Sequence, residues 1–298
     1  MSRPLRVSVV GTGRMGGAMA GRVAGAGHVL TVWNRTRSTA EAVATRCRGE
    51  VTVADTARDA AADADVVLVS LADDTAARAA YLGDDGLAAG LGSGTVVADT
   101  STVAPETIRA LDDDVRATGA VLVDTPVSGS VSSVEGGTIL VMAGGRTDDV
   151  ERARPALESF AQRIIVLGPL GAGSTMKLAV NAMVFGLNQT LAEALVLAEK
   201  AGVDRELAYE VFANSAVAAP YVGYKRAAYE HPETAAVAFA LHLVAKDLDL
   251  AAALAADVGA AVPQLETNRR VVADAIEAGL GDADLSALAV HLRGTSPA

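Results

Sequence analysis

Short runs of apolar and β-branched residues recur along the first half of the chain, at 5–10, 29–33, 66–70, 95–98, 121–124, 139–143 and 164–167. Stretches with helical spacing of their apolar positions separate them, including 15–25, 39–47, 105–118 and 148–160. This alternation predicts an α/β domain with a mainly parallel, doubly wound sheet. Beyond Gly171 the strand signal stops, and helical patterns fill 173–201, 204–214, 241–258, 264–278 and 284–292. The GPLGAG stretch at 168–173 marks a seam, because glycine and proline end a strand before a long helix. The predicted layout is an α/β domain over 1–168 and an all-α C-terminal domain over 169–298, with a frayed tail from Gly294.

Composition narrows the possible partners. Lys and Arg number 25 against 36 Asp and Glu, a formal charge of −11. Nucleic acid and anionic membranes are therefore not expected as partners, since either needs a basic face. The single cysteine, Cys47, excludes an internal disulfide framework and a cysteine-built zinc site, so no metal centre is expected. The opening MSRPLRVSVVGTG does not read as a signal peptide, because Arg6 and Ser8 interrupt its apolar run and glycines follow at once. No charge-free apolar stretch approaches the roughly 20 residues of a membrane span. These features predict a cytoplasmic protein.

Gly11-Thr12-Gly13-Arg14-Met15-Gly16 follows the first strand and fits GxGxxG. The first glycine permits a tight turn, the second lets backbone approach a pyrophosphate, and the third lets the next helix pack closely. With a strand before it and a helix and second strand after it, the loop predicts a Rossmann dinucleotide-binding domain. At the end of that second strand, where Asp or Glu would meet a free ribose 2′-OH, the chain reads Trp33-Asn34-Arg35-Thr36-Arg37-Ser38. Asn34 brings no carboxylate, Arg35 and Arg37 can pair with a 2′-phosphate, and Thr36 and Ser38 can donate to it. NADP(H) is therefore predicted over NAD(H).

Three later segments carry candidate chemistry. In Asp99-Thr100-Ser101-Thr102, at a strand's carboxyl end, Thr102 either meets nicotinamide or substrate or, like Ser101, caps the next helix. In Asp124-Thr125-Pro126-Val127-Ser128-Gly129-Ser130, the hydroxyls and N–H groups of Ser128, Gly129 and Ser130 suit a small carboxylate. In GAGSTMKLAVN, Lys177 and Asn181 lie four apart on one helix face, with Asn188 further along the stripe. An ammonium at Lys177 can give a proton to a carbonyl oxygen as hydride arrives; the alternative is a surface lysine whose stem lies along the helix.

Taken in this order, the segments resemble the β-hydroxyacid dehydrogenase family of the 6-phosphogluconate dehydrogenase superfamily, over nearly the whole chain. GTGRMGGAMA is similar to its cofactor loop, DTPVSGS to its substrate loop and GAGSTMKLAVN to its catalytic-lysine helix. FALHLVAKDLDLA at 239–251 and GLGDADLSAL at 279–288 are similar to its two C-terminal motifs. The resemblance implies hydride transfer between NADP(H) and a small β-hydroxyacid or acid semialdehyde. It implies Lys177 as general acid/base, Asn181 as its substrate-orienting neighbour and Ser128, Gly129 and Ser130 as the carboxylate site. It also implies Leu71, Thr102 and Lys246 against the cofactor. It further implies a homodimer or homotetramer through the helical domain, whose Ala-, Leu- and Val-rich stretches at 192–198 and 251–256 point the same way.

The chain departs from the family pattern at several places that bear on the substrate. Ser130 replaces a glycine and adds a side chain where the ligand is expected, Ala72 replaces a proline, and Val180 stands where asparagine is frequent. The 215–224 stretch reads SAVAAPYVGY rather than serine-rich. Two alternatives remain open: an NADPH-dependent imine reductase, which the run TVWNRT resembles, and a dinucleotide-binding protein without turnover.

Overall fold

The computed structural model describes residues 3–295. Contacts divide the chain into two compact units, Met1–Lys177 and Leu178–Ala298. The first unit holds a nine-stranded sheet. Its strands are β1 (Arg6–Val10), β2 (Val29–Trp33), β3 (Val51–Val53), β4 (Val66–Val69), β5 (Val96–Asp99), β6 (Val121–Asp124), β7 (Val127–Ser128), β8 (Ile139–Gly144) and β9 (Ala161–Gly168). They run in the order β3-β2-β1-β4-β5-β6-β8-β7, with β9 paired to β8. The strands from β3 to β6 pair in parallel, whereas β8 is antiparallel to β6 and β7 and parallel to β9. The order reverses between β1 and β4, and ligands of such sheets bind at the strand ends beside that reversal.

Helices α1 (Arg14–Gly25), α2 (Arg37–Arg46), α3 (Ala57–Ala61), α4 (Asp74–Tyr81), α5 (Leu87–Gly90), α6 (Pro105–Ala117), α7 (Val131–Glu135) and α8 (Thr147–Leu157) complete the unit. The two-residue period of the strands sorts their side chains between two layers. Val7, Val9, Val66, Leu68 and Ala98 pack with Met19, Val23, Val43 and Ala153. Val10, Val67, Val69 and Val97 pack with Ala60, Tyr81, Ile108 and Leu111. Burial on both faces is why these strands read as unbroken apolar runs. Strands β3 and β7 and helices α3, α5 and α7 are too short to show a period, and α4 spans only about two turns. Caps sustain two of them: Thr56 accepts from the Asp59 N–H and Asp73 from the Ala76 N–H.

The second unit is helical. Its helices are α9 (Ala172–Lys200, begun in the first unit), α10 (Arg205–Asn214), α11 (Pro220–Glu230), α12 (Leu241–Val258), α13 (Pro263–Ala275) and α14 (Leu288–Thr295). A core of Leu178, Phe185, Leu195, Tyr209, Tyr229, Leu241, Leu248 and Val272 joins them. By length and composition alone α9, with few charges in its apolar window, could cross a membrane. Half of its apolar window is buried inside the protein. Helix α14 continues through Thr295, past the expected start of the tail, whose residues 296–298 lie outside the described ones.

The sequence sets the domain boundary at 168/169, whereas the first compact unit runs on to Lys177. One side chain contributes to this. Asp124 Oδ1 accepts from Gly171 N at 2.8 Å and Oδ2 accepts from Ser174 N at 2.7 Å, which fastens the first turn of α9 to the end of β6.

Candidate functional site

The glycine loop is shaped as its spacing requires. Gly11 has φ +90°, and a Cβ there would lie 2.2 Å from the Ser70 carbonyl oxygen. A Cβ on Gly16 would lie 1.9 Å from the Gly11 carbonyl oxygen, so the helix can start this close only with glycine. Gly13 differs, since nothing lies within 4 Å of its Cβ position. That open space faces the start of α1, where Gly13 offers no side-chain cap and the first turn holds no acidic residue. Unpaired N–H groups at such an end favour an anion. Thr12 is buried, and its Oγ1 has no hydrogen-bond partner among the described residues. An orphan hydroxyl beside an open glycine fits a dinucleotide pyrophosphate. Arg14 is exposed, while Met15 packs on the adjoining core.

At the end of β2, Asn34 Oδ1 accepts from Thr12 N at 3.2 Å and Asn34 Nδ2 donates to the Thr36 carbonyl at 3.1 Å, joining the glycine loop to the 34–36 turn. The two arginines differ. Arg37 pairs with Glu41 at 2.8 Å and with Asp55. Arg35 is exposed and makes no ion pair among the described residues. Thr36 is the N-cap of α2 without a side-chain cap bond, and no acidic residue stands in that helix's first turn. A phosphate fits beside Arg35 and these N–H groups.

Across the strand-order reversal, Leu71 borders the glycine loop, its Cδ2 3.0 Å from the Cβ position on Gly11. The Leu71 N–H donates to Ser101 Oγ at 2.9 Å. Neither Ser101 nor Thr102 caps the next helix: Ala104 is the N-cap of α6 and its N–H donates to Asp74 Oδ1. Beneath them Asp99 is buried, accepting from Tyr81 OH at 2.8 Å and from the Ser101 N–H at 2.8 Å. Burial pushes its carboxyl above the usual range, more than these donors hold it down, and neighbouring Asp124 adds to the rise.

In the loop at 125–130, Gly129 has φ +141° and is exposed, while Ser128 is half-buried. Ser130, which the sequence marks as an added side chain in this loop, has hydroxyl neighbours of its own. Its Oγ lies 2.7 Å from Ser132 Oγ and its N–H donates to Ser133 Oγ, making Ser130 the N-cap of α7. Asp124 precedes this loop. Burial raises its carboxyl pKa, and the Gly171 and Ser174 amides oppose that rise. A Cβ on Gly144 would lie 2.3 Å from Asp124 Oδ1, and one on Gly173 2.4 Å from the Met142 carbonyl oxygen. The start of α9 therefore lies flush against the strand ends, with half-buried Lys177 one turn past Ser174.

Asn181 follows one turn later and is buried. Its Nδ2 donates to Asp247 Oδ2 at 2.6 Å, and Asp247 Oδ1 lies 2.8 Å from Lys246 Nζ. Asn188 does not extend this group. Tyr221 OH and Tyr229 OH donate to its Oδ1, and its Nδ2 donates to the Leu285 carbonyl, so it serves the helical core. The sequence leaves Asp124 without a role and offers Asp247 or Asp249 only as an ion-pair partner of Lys246; the contact to Asn181 had no signal in the sequence. Among the described residues no His, Cys, Asp and Glu cluster could hold a metal ion.

Residues 6–168 match the family model described as the NAD binding domain of 6-phosphogluconate dehydrogenase. Residues 171–292 match that of the NAD-binding domain of NADP-dependent 3-hydroxyisobutyrate dehydrogenase. A 3-hydroxyisobutyrate dehydrogenase of Pseudomonas aeruginosa is 34% identical over 86% of this chain and 87% of its own length. A 3-sulfolactaldehyde reductase of Escherichia coli is 31% identical over 96% and 95%. The solved structure of a Mycobacterium tuberculosis 3-hydroxyisobutyrate dehydrogenase with L-serine is 29% identical, covers 98% of this chain and 100% of its own, and superimposes with a TM-score of 0.85. A glycine cradle, a loop tied to a lysine-bearing helix and these likenesses lead to one conclusion: the chain belongs to the β-hydroxyacid dehydrogenase family of NAD(P)-dependent oxidoreductases.

Proposed function

We propose that this chain transfers hydride reversibly between NADP(H) and a small β-hydroxyacid or acid semialdehyde, with Lys177 as general acid/base. The observation that carries the reading is the Asp124 bridge, which joins the loop at 125–130 to the first turn of the helix bearing Lys177. When bound, the nicotinamide supplies or accepts the hydride. Lys177 gives a proton to the carbonyl oxygen in reduction and takes it back from the hydroxyl in oxidation. Asn181 orients the substrate oxygen. Ser128, Gly129 and Ser130 hold the carboxylate so that the reacting carbon is placed before chemistry begins. The N–H groups at Gly13, Arg14 and Met15 receive the pyrophosphate, and Leu71, Thr102 and Lys246 border the nicotinamide. Relatives named for 3-hydroxyisobutyrate and 3-sulfolactaldehyde support a small acid bearing a hydroxyl or aldehyde.

Preference for NADP(H) over NAD(H) is part of the proposal and rests on Arg35, which pairs with no carboxylate among the described residues. So are a cytoplasmic location, from composition, and a homodimer or homotetramer through the helical unit. Met183 and Leu197 on α9 are 80% and 72% exposed, apolar surface that a second copy would cover. Light scattering tests the assembly, and a fluorescent fusion tests the location. The decisive assay is a panel of two- to five-carbon aldehyde acids with NADPH and NADH in parallel. Lys177→Met is expected to lose more than about a hundredfold in kcat while still shifting the fluorescence of bound NADPH. Full activity in that variant overturns the assignment.

A further inference from the structure

Asp247 stands on α12 directly after Lys246 and is 1% exposed. Its two oxygens serve different partners: Oδ2 accepts from Asn181 Nδ2 at 2.6 Å on α9, and Oδ1 lies 2.8 Å from Lys246 Nζ on its own helix. A carboxamide has a donor end and an acceptor end. With Nδ2 committed to Asp247, Asn181 Oδ1 faces away from the carboxylate and is the end available to a substrate hydroxyl or an ammonium. Without that acceptor the amide could present either end. Lys246 carries its charge on a flexible four-carbon stem, and a buried carboxylate beside it restricts where the ammonium can sit. A buried carboxylate is a poor choice for packing alone, since an apolar side chain of similar volume avoids its desolvation.

We propose that Asp247 is a positioning residue: it fixes which end of the Asn181 carboxamide meets the substrate and holds the Lys246 ammonium for the nicotinamide side. The inference rests on the functional reading above and deepens it. One carboxylate sets both the substrate contact and the cofactor contact of the second unit.

The test is Asp247→Asn in the full chain, measured beside Asn181→Ala, Lys246→Met and the double variant Asn181→Ala/Asp247→Asn. Asp247→Asn is expected to keep the wild-type circular dichroism spectrum and lose about tenfold or more in kcat. Its NADPH dissociation constant, from fluorescence titration, is expected to rise to within about threefold of the Lys246→Met value. In the Asn181→Ala background the same change should cost less than about threefold further in kcat, because its target is already gone. A lowered melting temperature with unchanged kcat and NADPH affinity overturns the proposal, as do losses that multiply fully in the double variant. If Asp247→Asn does not fold, Asp247→Glu keeps the charge and moves it by one methylene. It is then expected to fold and lose at least about fivefold in kcat; an unchanged kcat overturns the proposal. If the wild type reduces no aldehyde acid, the functional reading fails by itself. The NADPH titrations of Asp247→Asn and Lys246→Met then still decide whether Asp247 holds Lys246.

Discussion

Replacing Asp124 with asparagine perturbs the fastening of α9 while preserving shape. The wild-type carboxylate accepts two backbone hydrogen bonds, from Gly171 N at 2.8 Å and Ser174 N at 2.7 Å. Both donors stand at a helix start, where backbone N–H groups have no partner within the helix. A carboxamide has one oxygen, so its NH2 end must meet the other N–H. One bond is lost and one buried amide is orphaned, at a cost of about 1–3 kcal/mol. Part is recovered because the neutral amide avoids the burial that raises the Asp124 pKa. The surroundings offer little relief, since Gly144 and Gly173 are already within contact of this site and leave no room for a methyl group. The net expectation is a loss of about 1–2 kcal/mol. With an unfolding entropy of about 2.1 cal/mol/K per residue and a chain of 298 residues, that corresponds to a melting temperature roughly 2–3 °C lower. Activity should suffer more. Lys177 lies about 4.5 Å along the helix axis from Ser174, and displacement of a reacting group by 1 Å can cost about a hundredfold. Thermal melts by circular dichroism, with kcat on the best aldehyde acid, measure both. A lower melting temperature with wild-type kcat would refute the link between this cap and lysine placement.

Two further outcomes follow from the charges. Arg35→Ala should weaken NADPH binding about tenfold or more with little change for NADH, whereas Arg37→Ala should alter NADPH binding less than about threefold because Glu41 and Asp55 already hold Arg37; equal effects in titration calorimetry would refute the distinction. The second concerns Lys225, which pairs with Asp284 at 2.7 and 2.8 Å in the helical core and keeps that carboxyl below its ordinary value of 3.8 despite burial. Such a depressed carboxyl adds stability above its unfolded pKa and loses it as pH falls through the folded one. Lys225→Met should therefore cost about 3–5 kcal/mol at pH 7, a deficit that narrows as Asp284 becomes protonated in acid. Urea unfolding from neutral to acid pH checks this, and a constant deficit would count against the pair.

The glycine loop could be read from the sequence because its requirements are local. Gly11 needs a positive φ and Gly16 a vanishing side chain, and both follow from the strand–loop–helix order alone. Lys177 and Asn181 were found together for the same reason, since four residues on one helix fix a shared face. What the sequence missed involves partners distant along the chain. Arg37 resembled Arg35 until Asp55 was seen beside it. Ser130 reads as an added side chain in its loop, and only the structure shows Ser132 and Ser133 making it a cap as well. Helix α11, opened by Pro220 and crossed by Gly223, lacks the run of helix formers that would announce it, and tertiary burial of Tyr221, Val222 and Tyr229 sustains it.

By itself the sequence determined the order of elements, the dinucleotide loop and the helix that carries the lysine, because hydrophobic period and backbone conformation are written within a few residues of each other. Only the tertiary structure decided what the carboxylates do. Asp124 meets amides at 171 and 174, and Asp247 meets the carboxamide at 181. A buried carboxylate is tolerable only where donors converge on it. Convergence of donors from remote segments is a property of packing, which no local pattern encodes.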